Sequence, residues 1–182
     1  MRSRRRILAV CVIFLPVLGL SVWRLAPPAH TRLELTDGGT GRKIVSRHLL
    51  GGERVVLTWT NSLFRLPVTE VFVAGGGRVT LTEITFGDPA GREPPRVKPE
   101  DVDDLYHTGG PFRAEGLSRP VTRVVFRVGE IGQPAMMVGK RVIRFADEVG
   151  FGGTVVLTAR PASFRERMRA WLERESDPEG PR

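Results

Sequence analysis

The stretch that decides the fold runs from residue 54 to residue 86. It reads Arg54-Val-Val-Leu-Thr-Trp-Thr60, then Val68-Thr-Glu-Val-Phe-Val-Ala74, Gly75-Gly-Gly77 and Arg78-Val-Thr-Leu-Thr-Glu-Ile-Thr-Phe86. Residues with β-branched and aromatic side chains fill these runs, and such residues favour strands. The three glycines between the last two runs are typical of a tight turn. The stretch therefore predicts one strand followed by a β-hairpin.

Similar short runs lie on both sides of this stretch, separated by glycine turns such as Gly51-Gly52. The other predicted strands are residues 31–36, 42–50, 121–128, 138–145 and 154–159. About eight short strands with regular turns predict a mostly β domain over residues 31–160, either an antiparallel sandwich or a partly open barrel. Residues 87–120 are punctuated by glycine and proline, which predicts a long irregular loop.

The period of the pattern changes at the C-terminus. Ser163 and Glu166 have the spacing of a capping box, in which each side chain binds a free N–H of the first helical turn. An apolar stripe follows at helical spacing, formed by Phe164, Met168, Trp171 and Leu172. We expect an amphipathic helix over residues 161–176 and a tail over 177–182. The stripe either packs on the sheet or rests on a lipid surface through Trp171 and the helix arginines.

The N-terminus has the pattern of a membrane segment. Arg4, Arg5 and Arg6 precede an uncharged apolar run that ends at Trp23 and Arg24. An interfacial aromatic residue and a cation at its end are typical of a transmembrane helix, and the arginine cluster stays in the cytoplasm. We predict an anchor over residues 1–24, a spacer over 25–30 and a domain outside the cytoplasm. A cleaved signal peptide is the alternative.

The charge distribution argues against nucleic-acid binding. Five of the eight net positive charges lie in residues 1–24, which contain no acidic residue, so the rest of the chain carries only three. That surface lacks the basic stripe that phosphates require. The single cysteine, Cys11, excludes an internal disulfide and a cysteine zinc site. Cys11 is either a lipid-facing residue or a lipidated one.

No set of residues in the sequence demands a catalytic reaction. The histidines lie in the predicted spacer (His30), near a strand end (His48) and in the predicted loop (His107). No serine occupies a Gly-x-Ser-x-Gly elbow, the turn that presents a hydrolase nucleophile. No glycine loop of the phosphate-binding type is present either. We therefore expect a protein that is not an enzyme and that uses no cofactor.

One acidic run is a candidate metal site. It comprises Glu100, Asp101, Asp103, Asp104 and His107. Crowded carboxylates suit a hard divalent cation, which prefers several oxygen ligands. The run lacks the glycine-centred spacing of a calcium loop, however. The alternative is an exposed, solvated helical turn that begins after Pro99.

A second candidate site lies between the first predicted strand and the hairpin. Asn61 and Ser62 have side chains that bind the local backbone and turn it, and Pro67 then opens the next strand. Glu70 lies two residues after Val68 and so shares its side of the strand. The segment is therefore either a structural corner with a buried, paired glutamate or a polar binding pocket formed by Asn61, Ser62 and Glu70.

This segment resembles the domain-of-unknown-function 1850 family. The family signature reads here as Trp59-Thr60-Asn61-Ser62, four residues, then Pro67-Val68-Thr69-Glu70, followed by the glycine-rich hairpin. The similarity runs loosely over residues 33–159. It departs at 88–91, where this chain has Asp-Pro-Ala-Gly in place of the family's Gly-Ala-Gly turn.

The resemblance implies a partner and not a reaction. Members of that family are often encoded beside TRAP-type transporters of the TAXI class, in which a binding protein delivers a small organic anion to a fused permease. The expected function is a membrane-anchored accessory domain that contacts the permease or its solute-binding protein. The alternative function is a sandwich that binds a small ligand or a divalent metal, as a sensor or a chaperone.

Overall fold

The computed structural model describes residues 30–175, with side chains described as far as residue 169. This part of the chain is mostly β and forms two sheets. One sheet has four strands and the other has seven.

The strands are β1 (His30–Asp37), β2 (Lys43–Leu50), β3 (Arg54–Thr60), β4 (Pro67–Gly75), β5 (Arg78–Phe86), β6 (Arg96–Val97), β7 (Phe112–Val121), β8 (Arg123–Arg127), β9 (Ala135–Val138), β10 (Arg141–Arg144) and β11 (Thr154–Pro161). The described helices are α1 (Val102–Thr108), α2 (Phe145–Val149) and α3 (Phe164–Glu175), and a 3-10 turn (Pro99–Asp101) precedes α1. The strands predicted at the start of the domain and the β4–β5 hairpin are confirmed.

The four-stranded sheet has the order β2-β1-β11-β8, and the seven-stranded sheet has the order β10-β9-β3-β4-β5-β7-β6. All neighbouring strands are antiparallel except β6 and β7, which are parallel.

Two apolar cores lie on one face of the seven-stranded sheet. The inter-sheet core packs β3, β4 and β9 against β1 and β11, and its largest buried members include Leu33, Phe72 and Phe145. The helix-side core packs β4, β5 and β7 against α1, and it contains Phe86, Phe112 and Val102. Trp59 packs against both cores. The seven-stranded sheet is therefore covered by the other sheet on one part of its face and by α1 on the next.

The prediction of a long irregular loop over residues 87–120 was wrong. This segment contains β6, the 3-10 turn, α1 and the ten-residue strand β7. Its glycine and proline residues lie where a strand tolerates them. Gly116 has φ +76° at an irregularity in the pairing of β5 with β7. Pro120 lies beyond the part of β7 that pairs with β6, so β7 has a neighbouring strand on only one side there, and a proline without an N–H donor is tolerated.

Two smaller predictions were also wrong. Residues 138–145 are not one strand, because Gly139 (φ +63°) forms a turn between β9 and β10 and Phe145 begins α2. His30 does not belong to the spacer, since it is the first residue of β1 and is buried. The rest of the predicted spacer, residues 25–29, lies outside the described residues.

The C-terminal helix begins as predicted. The Ser163 N–H donates to Glu166 Oε2 (2.8 Å) and the Glu166 N–H donates to Ser163 Oγ (3.3 Å), which confirms the capping box. Phe164 is 59% exposed, so the first residue of the apolar stripe does not pack on the sheet. The side chains of Trp171 and Leu172 lie outside what the structure describes.

The predicted anchor, with Arg4, Arg5, Arg6, Cys11, Trp23 and Arg24, also lies outside the described residues, as does the predicted tail. No helix within residues 30–175 is long and apolar enough to cross a membrane.

Candidate functional site

Glu70 is a carboxylate on the core-facing side of the seven-stranded sheet. Strand β4 alternates so that Val68, Glu70 and Phe72 share one side, which confirms the predicted placement beside Val68. The sheet register places Glu70 between Leu57 of β3 and Ile84 of β5, both of which are buried. Its carboxyl group is therefore surrounded by apolar neighbours, at the boundary between the two cores.

Two hydrogen bonds hold the Glu70 carboxyl group, and both reach the same oxygen. The Trp59 indole Nε1–H donates to Glu70 Oε1 at 3.2 Å, and the Tyr106 hydroxyl donates to the same atom at 3.3 Å. Burial raises the pKa of Glu70, because it disfavours the charged form, and the two hydrogen bonds oppose part of that rise. Both bonds reach Oε1, so neither of them occupies Oε2, which remains available for a further partner.

Helix α1 positions Tyr106 over the sheet. The Tyr106 ring meets Phe86 edge to face at 5.1 Å between centroids, and one turn earlier Asp103 Oδ1 accepts from Arg119 Nη1 at 2.8 Å. Gly109 ends the helix with φ +78°, and a Cβ there would come within 2.5 Å of the Phe64 ring. Burial, together with the nearby Glu70 carboxylate, raises the pKa of Tyr106, so its hydroxyl stays a donor.

A cavity of about 270 Å³ opens beside Glu70, and we call it the Glu70 pocket. Its lining comes from both sheets and from the segment before β9: Leu57, Trp59, Glu70, Val125, Phe126, Arg127, Gly132 and Pro134. A second, more open depression of about 520 Å³ shares Trp59, Arg127 and Gly132 with it. The two hollows therefore adjoin and meet at these three residues.

The Glu70 pocket has two ionisable side chains, one acidic and one basic. Glu70 supplies a carboxyl group and Arg127 supplies a guanidinium group, while most of the remaining wall is apolar. Arg127 is exposed, and no acidic side chain of residues 30–169 pairs with it. A mainly apolar cavity with a small number of orienting polar groups is the usual form of a small-molecule site.

The three predicted pocket residues have different places. Asn61 is part of a structural corner, since its Oδ1 accepts from the Leu63 and Phe64 N–H groups at 3.0 and 2.9 Å. Ser62 is exposed and lines the second depression. Of the three predicted residues, only Glu70 lines the Glu70 pocket. The segment from Asn61 to Glu70 therefore forms a structural corner and also borders the Glu70 pocket. The corner makes the turn between the strand of Trp59 and the strand of Glu70.

The candidate metal residues lie on the 3-10 turn and α1. Glu100 and Asp101 belong to the turn, Asp103, Asp104 and His107 belong to the helix, and Asp103 pairs with Arg119. Among the side chains that the structure describes, up to residue 169, no three histidine, cysteine, aspartate or glutamate residues come together as a group that could hold a metal ion. The expected alternative, a helical turn after Pro99, is the conformation observed.

Sequence reasoning missed most of the Glu70 pocket. Tyr106, Val125, Phe126, Arg127 and Pro134 lie 36 or more positions after Glu70 in the chain, and no local spacing connects them to it. The pattern around Trp59 and Glu70 was the only available signal, because cross-strand pairing brings these two residues together.

The comparisons with known proteins add no relative. No family model matches the chain, and no curated protein or solved structure matches it either.

Proposed function

We propose that this chain is a non-enzymatic binding domain that takes a small organic ligand in the Glu70 pocket. The observation that carries the proposal is the Glu70 carboxyl group, which lies on an otherwise apolar sheet face. Two hydrogen bonds hold one of its oxygens, and the residue lines a cavity. Burying a carboxyl group costs free energy, and a domain that needed only a core would use an apolar residue at that position. Glu70 is better explained as a ligand contact.

The size and chemistry of the cavity limit what it holds. A volume of about 270 Å³ is just below the range of roughly 300–1,000 Å³ that is usual for ligand sites. It therefore suits a small metabolite with an apolar body that lies against Trp59 and Phe126. Glu70 would accept from or donate to one end of the molecule, and Arg127 would bind an anionic group.

A thermal-shift screen tests this function, because a ligand that binds the native state raises its melting temperature. The panel should contain small carboxylic acids, amines, amino acids and divalent cations. We expect at least one organic compound to raise the melting temperature in a saturable way, and Glu70→Gln to reduce the shift. If no compound stabilises the protein, or if only a divalent cation does so, the proposal fails.

A pocket-filling variant gives a sharper control. A Cβ at Gly132 would make only ordinary contacts, with the nearest atom 3.7 Å away. Because Gly132 lines the Glu70 pocket, Gly132→Leu is designed to add a side chain there without removing a hydrogen bond of Glu70. Gly51 has open space around it and lies in a distant turn, so Gly51→Leu is the matched control. The first variant should abolish the ligand-induced shift and the second should leave it unchanged.

We also propose that the domain is an accessory of a TRAP-type, TAXI-class permease, held at the outer face of the membrane by an anchor over residues 1–24. The resemblance around Trp59 and Glu70 supports this partner, and the hydrogen bond between these two residues makes the matching segment a structural unit. The two sheets would then form an open sandwich outside the cytoplasm.

Affinity purification of the full-length chain in detergent tests the accessory role. We expect the permease or its solute-binding protein to be recovered with the chain. Recovery of neither would contradict this role and would leave the ligand-binding function to be tested by itself. A phosphatase fused to the C-terminus should be active in cells if the domain lies outside the cytoplasm, and inactive if it does not.

A further inference from the structure

We propose that the free edge of strand β8 binds an acidic, extended segment of a partner protein by strand addition. This edge borders the Glu70 pocket, because Val125 and Arg127 also line that pocket. The recognition would differ in kind, since main-chain pairing and surface charge would provide it. β8 is the last strand of the four-stranded sheet and pairs only with β11 among the described residues. Edge strands carry unpaired N–H and C=O groups that act as a template for another strand.

The side chains of β8 alternate in a way that suits such a partner. Arg123, Val125 and Arg127 lie on one face and are exposed, whereas Val124 and Phe126 pack on the inter-sheet core. Val125 is 50% exposed although it is apolar. Neither arginine forms an ion pair with a side chain of residues 30–169, whose side chains the structure describes. The edge thus offers two cations, four residues apart, around an apolar centre.

This charge pattern disfavours a second copy of the chain as the occupant. The sequence of β8 is nearly symmetrical about Val125, so antiparallel pairing of two copies centred there would place Arg123 of each copy opposite Arg127 of the other. Like charges directly opposite one another destabilise a strand pair. A strand with a glutamate or aspartate at each of these two positions would instead form two ion pairs.

The other sheet edges offer less for an added strand. On β2 the cations are engaged, since Lys43 pairs with Glu34 (3.4 Å) and Arg47 donates to the Val138 carbonyl (3.2 Å). β6 has two residues and β10 has four, so either would support a shorter ladder than β8. Among the described strands, β8 therefore combines a free edge, an exposed apolar centre and two arginines that form no ion pair with a described acidic side chain.

A peptide-binding experiment with the full-length chain in detergent micelles tests the proposal. The probe is the peptide Glu-Thr-Val-Thr-Glu-amide, which carries fluorescein on its N-terminus and is measured by fluorescence anisotropy. The first control replaces both glutamates with lysine. The second control carries an N-methyl group at every residue, because successive N–H groups point to opposite edges of a strand and the peptide could pair through either edge. We expect saturable binding of the acidic probe alone, weakened by salt because the charges are exposed.

Charge reversal at Arg123 locates the binding. Arg123→Glu replaces an attraction with a repulsion, and since an exposed ion pair contributes up to about a fivefold change in affinity, we expect a loss of at least that size. Arg78 is an exposed arginine in the β4–β5 hairpin, so Arg78→Glu is the matched control and should bind the probe normally. Arg123 does not line the Glu70 pocket, so Arg123→Glu should retain any ligand-induced thermal shift.

Several results would overturn the proposal. Equal binding of the acidic and basic peptides would exclude charge recognition, and binding of the N-methylated peptide would exclude strand addition. Absence of saturable binding, together with self-association of an Arg123→Thr, Arg127→Thr variant, would show that the two arginines only protect the edge from aggregation.

Discussion

At the scale of the residue, Glu70 is the side chain on which the functional account depends. Its carboxyl group lies between Leu57 and Ile84 on neighbouring strands, and Trp59 and Tyr106 both donate to one of its oxygens. The four-stranded sheet and α1 cover the face of the seven-stranded sheet on either side of Glu70 without closing over it. This arrangement both buries Glu70, which raises its pKa, and leaves the cavity beside it.

Stability should depend on pH through Glu70. Burial raises its pKa in the folded protein above the ordinary value of 4.5, so folding favours the protonated form. The free energy of unfolding therefore falls as pH rises from about 4.5 to the raised pKa, and it stays lower above that value. Glu70→Gln keeps an acceptor for Trp59 and Tyr106 but does not titrate. Urea unfolding at several pH values should show the advantage of the variant growing across this window, whereas a constant difference would contradict the burial.

Trp59 should control the pKa of Glu70. Its indole N–H stabilises the charged carboxylate, so Trp59→Phe removes a group that lowers the pKa of Glu70 while keeping an aromatic ring in place. We expect the pKa of Glu70, followed by NMR of its side-chain carboxyl carbon, to rise further in this variant. Tyr106→Phe should act in the same direction. A lower pKa of Glu70 in either variant would show that these donors do not bind the carboxylate.

At this scale, the sequence allowed one half of the site to be predicted. The alternation of β4 placed Glu70 on the side of Val68, and the Asn61-Ser62 pair indicated a turn, because both are properties of neighbours in the chain. Tyr106 and Arg127 could not be found in this way, since their proximity to Glu70 depends on how α1 and β8 pack.

At the scale of the element, α3 shows how a local sequence signal anchors a helix to a sheet. Glu166 closes the capping box with Ser163 and also pairs with Arg160 (2.8 Å) and Arg32 (3.0 Å) of the four-stranded sheet. The hydrogen bonds from Arg160 and from the Ser163 N–H hold the pKa of Glu166 far below its usual range. Its contribution to stability is therefore present above about pH 4.5 and is lost as pH falls further.

Loss of the N-cap should fray the start of α3. Ser163→Ala removes the oxygen that accepts from the Glu166 N–H, at a cost of about 1 kcal/mol. Hydrogen exchange at the amides of Glu166 and Arg167, which donate to Ser163 Oγ and to the Ser163 carbonyl, should then be about fivefold faster. Ser163→Asp keeps a capping oxygen and should exchange like the natural protein. Equal exchange in all three proteins would contradict the role of the cap.

Helices and strands were predictable where the sequence pattern is local. The prediction failed where the pairing of the strands is irregular. β3 and β5 have the predicted bounds because their side chains and flanking turns agree. β7 was missed because Gly116 and Pro120 are typical of loops, yet an irregularity and the lack of a second neighbour accommodate them within a strand. Such pairing is a property of the sheet and is not visible in a single run of residues.

At the scale of the whole molecule, the two apolar cores share structure. β4 contributes Val68 to the helix-side core and Phe72 to the inter-sheet core, and Trp59 packs on both. A substitution that destabilises one core should therefore also destabilise the other, and we expect residues 30–175 to unfold in a single transition.

Phe86→Ala tests that coupling. Phe86 is buried in the helix-side core and stacks on Phe112 at 4.6 Å between ring centroids. Its truncation should lower the free energy of unfolding by about 3–5 kcal/mol. In a chain that also carries Trp23→Phe and Trp171→Phe, so that Trp59 is the single tryptophan, denaturant curves followed by far-UV circular dichroism and by fluorescence should shift together. Separate midpoints for the two signals would show that the cores unfold independently.

The central claim is that the Glu70 pocket binds a small organic ligand, and Trp59 in its wall reports on it directly. A chain with Trp23→Phe and Trp171→Phe retains Trp59 as its single tryptophan, and its fluorescence can be titrated with the panel of acids, amines and amino acids. We predict a saturable change with at least one of these compounds, abolished by Gly132→Leu and preserved in Gly51→Leu. A Trp59 signal that no compound changes, or a change that persists when the pocket is filled, would contradict the claim.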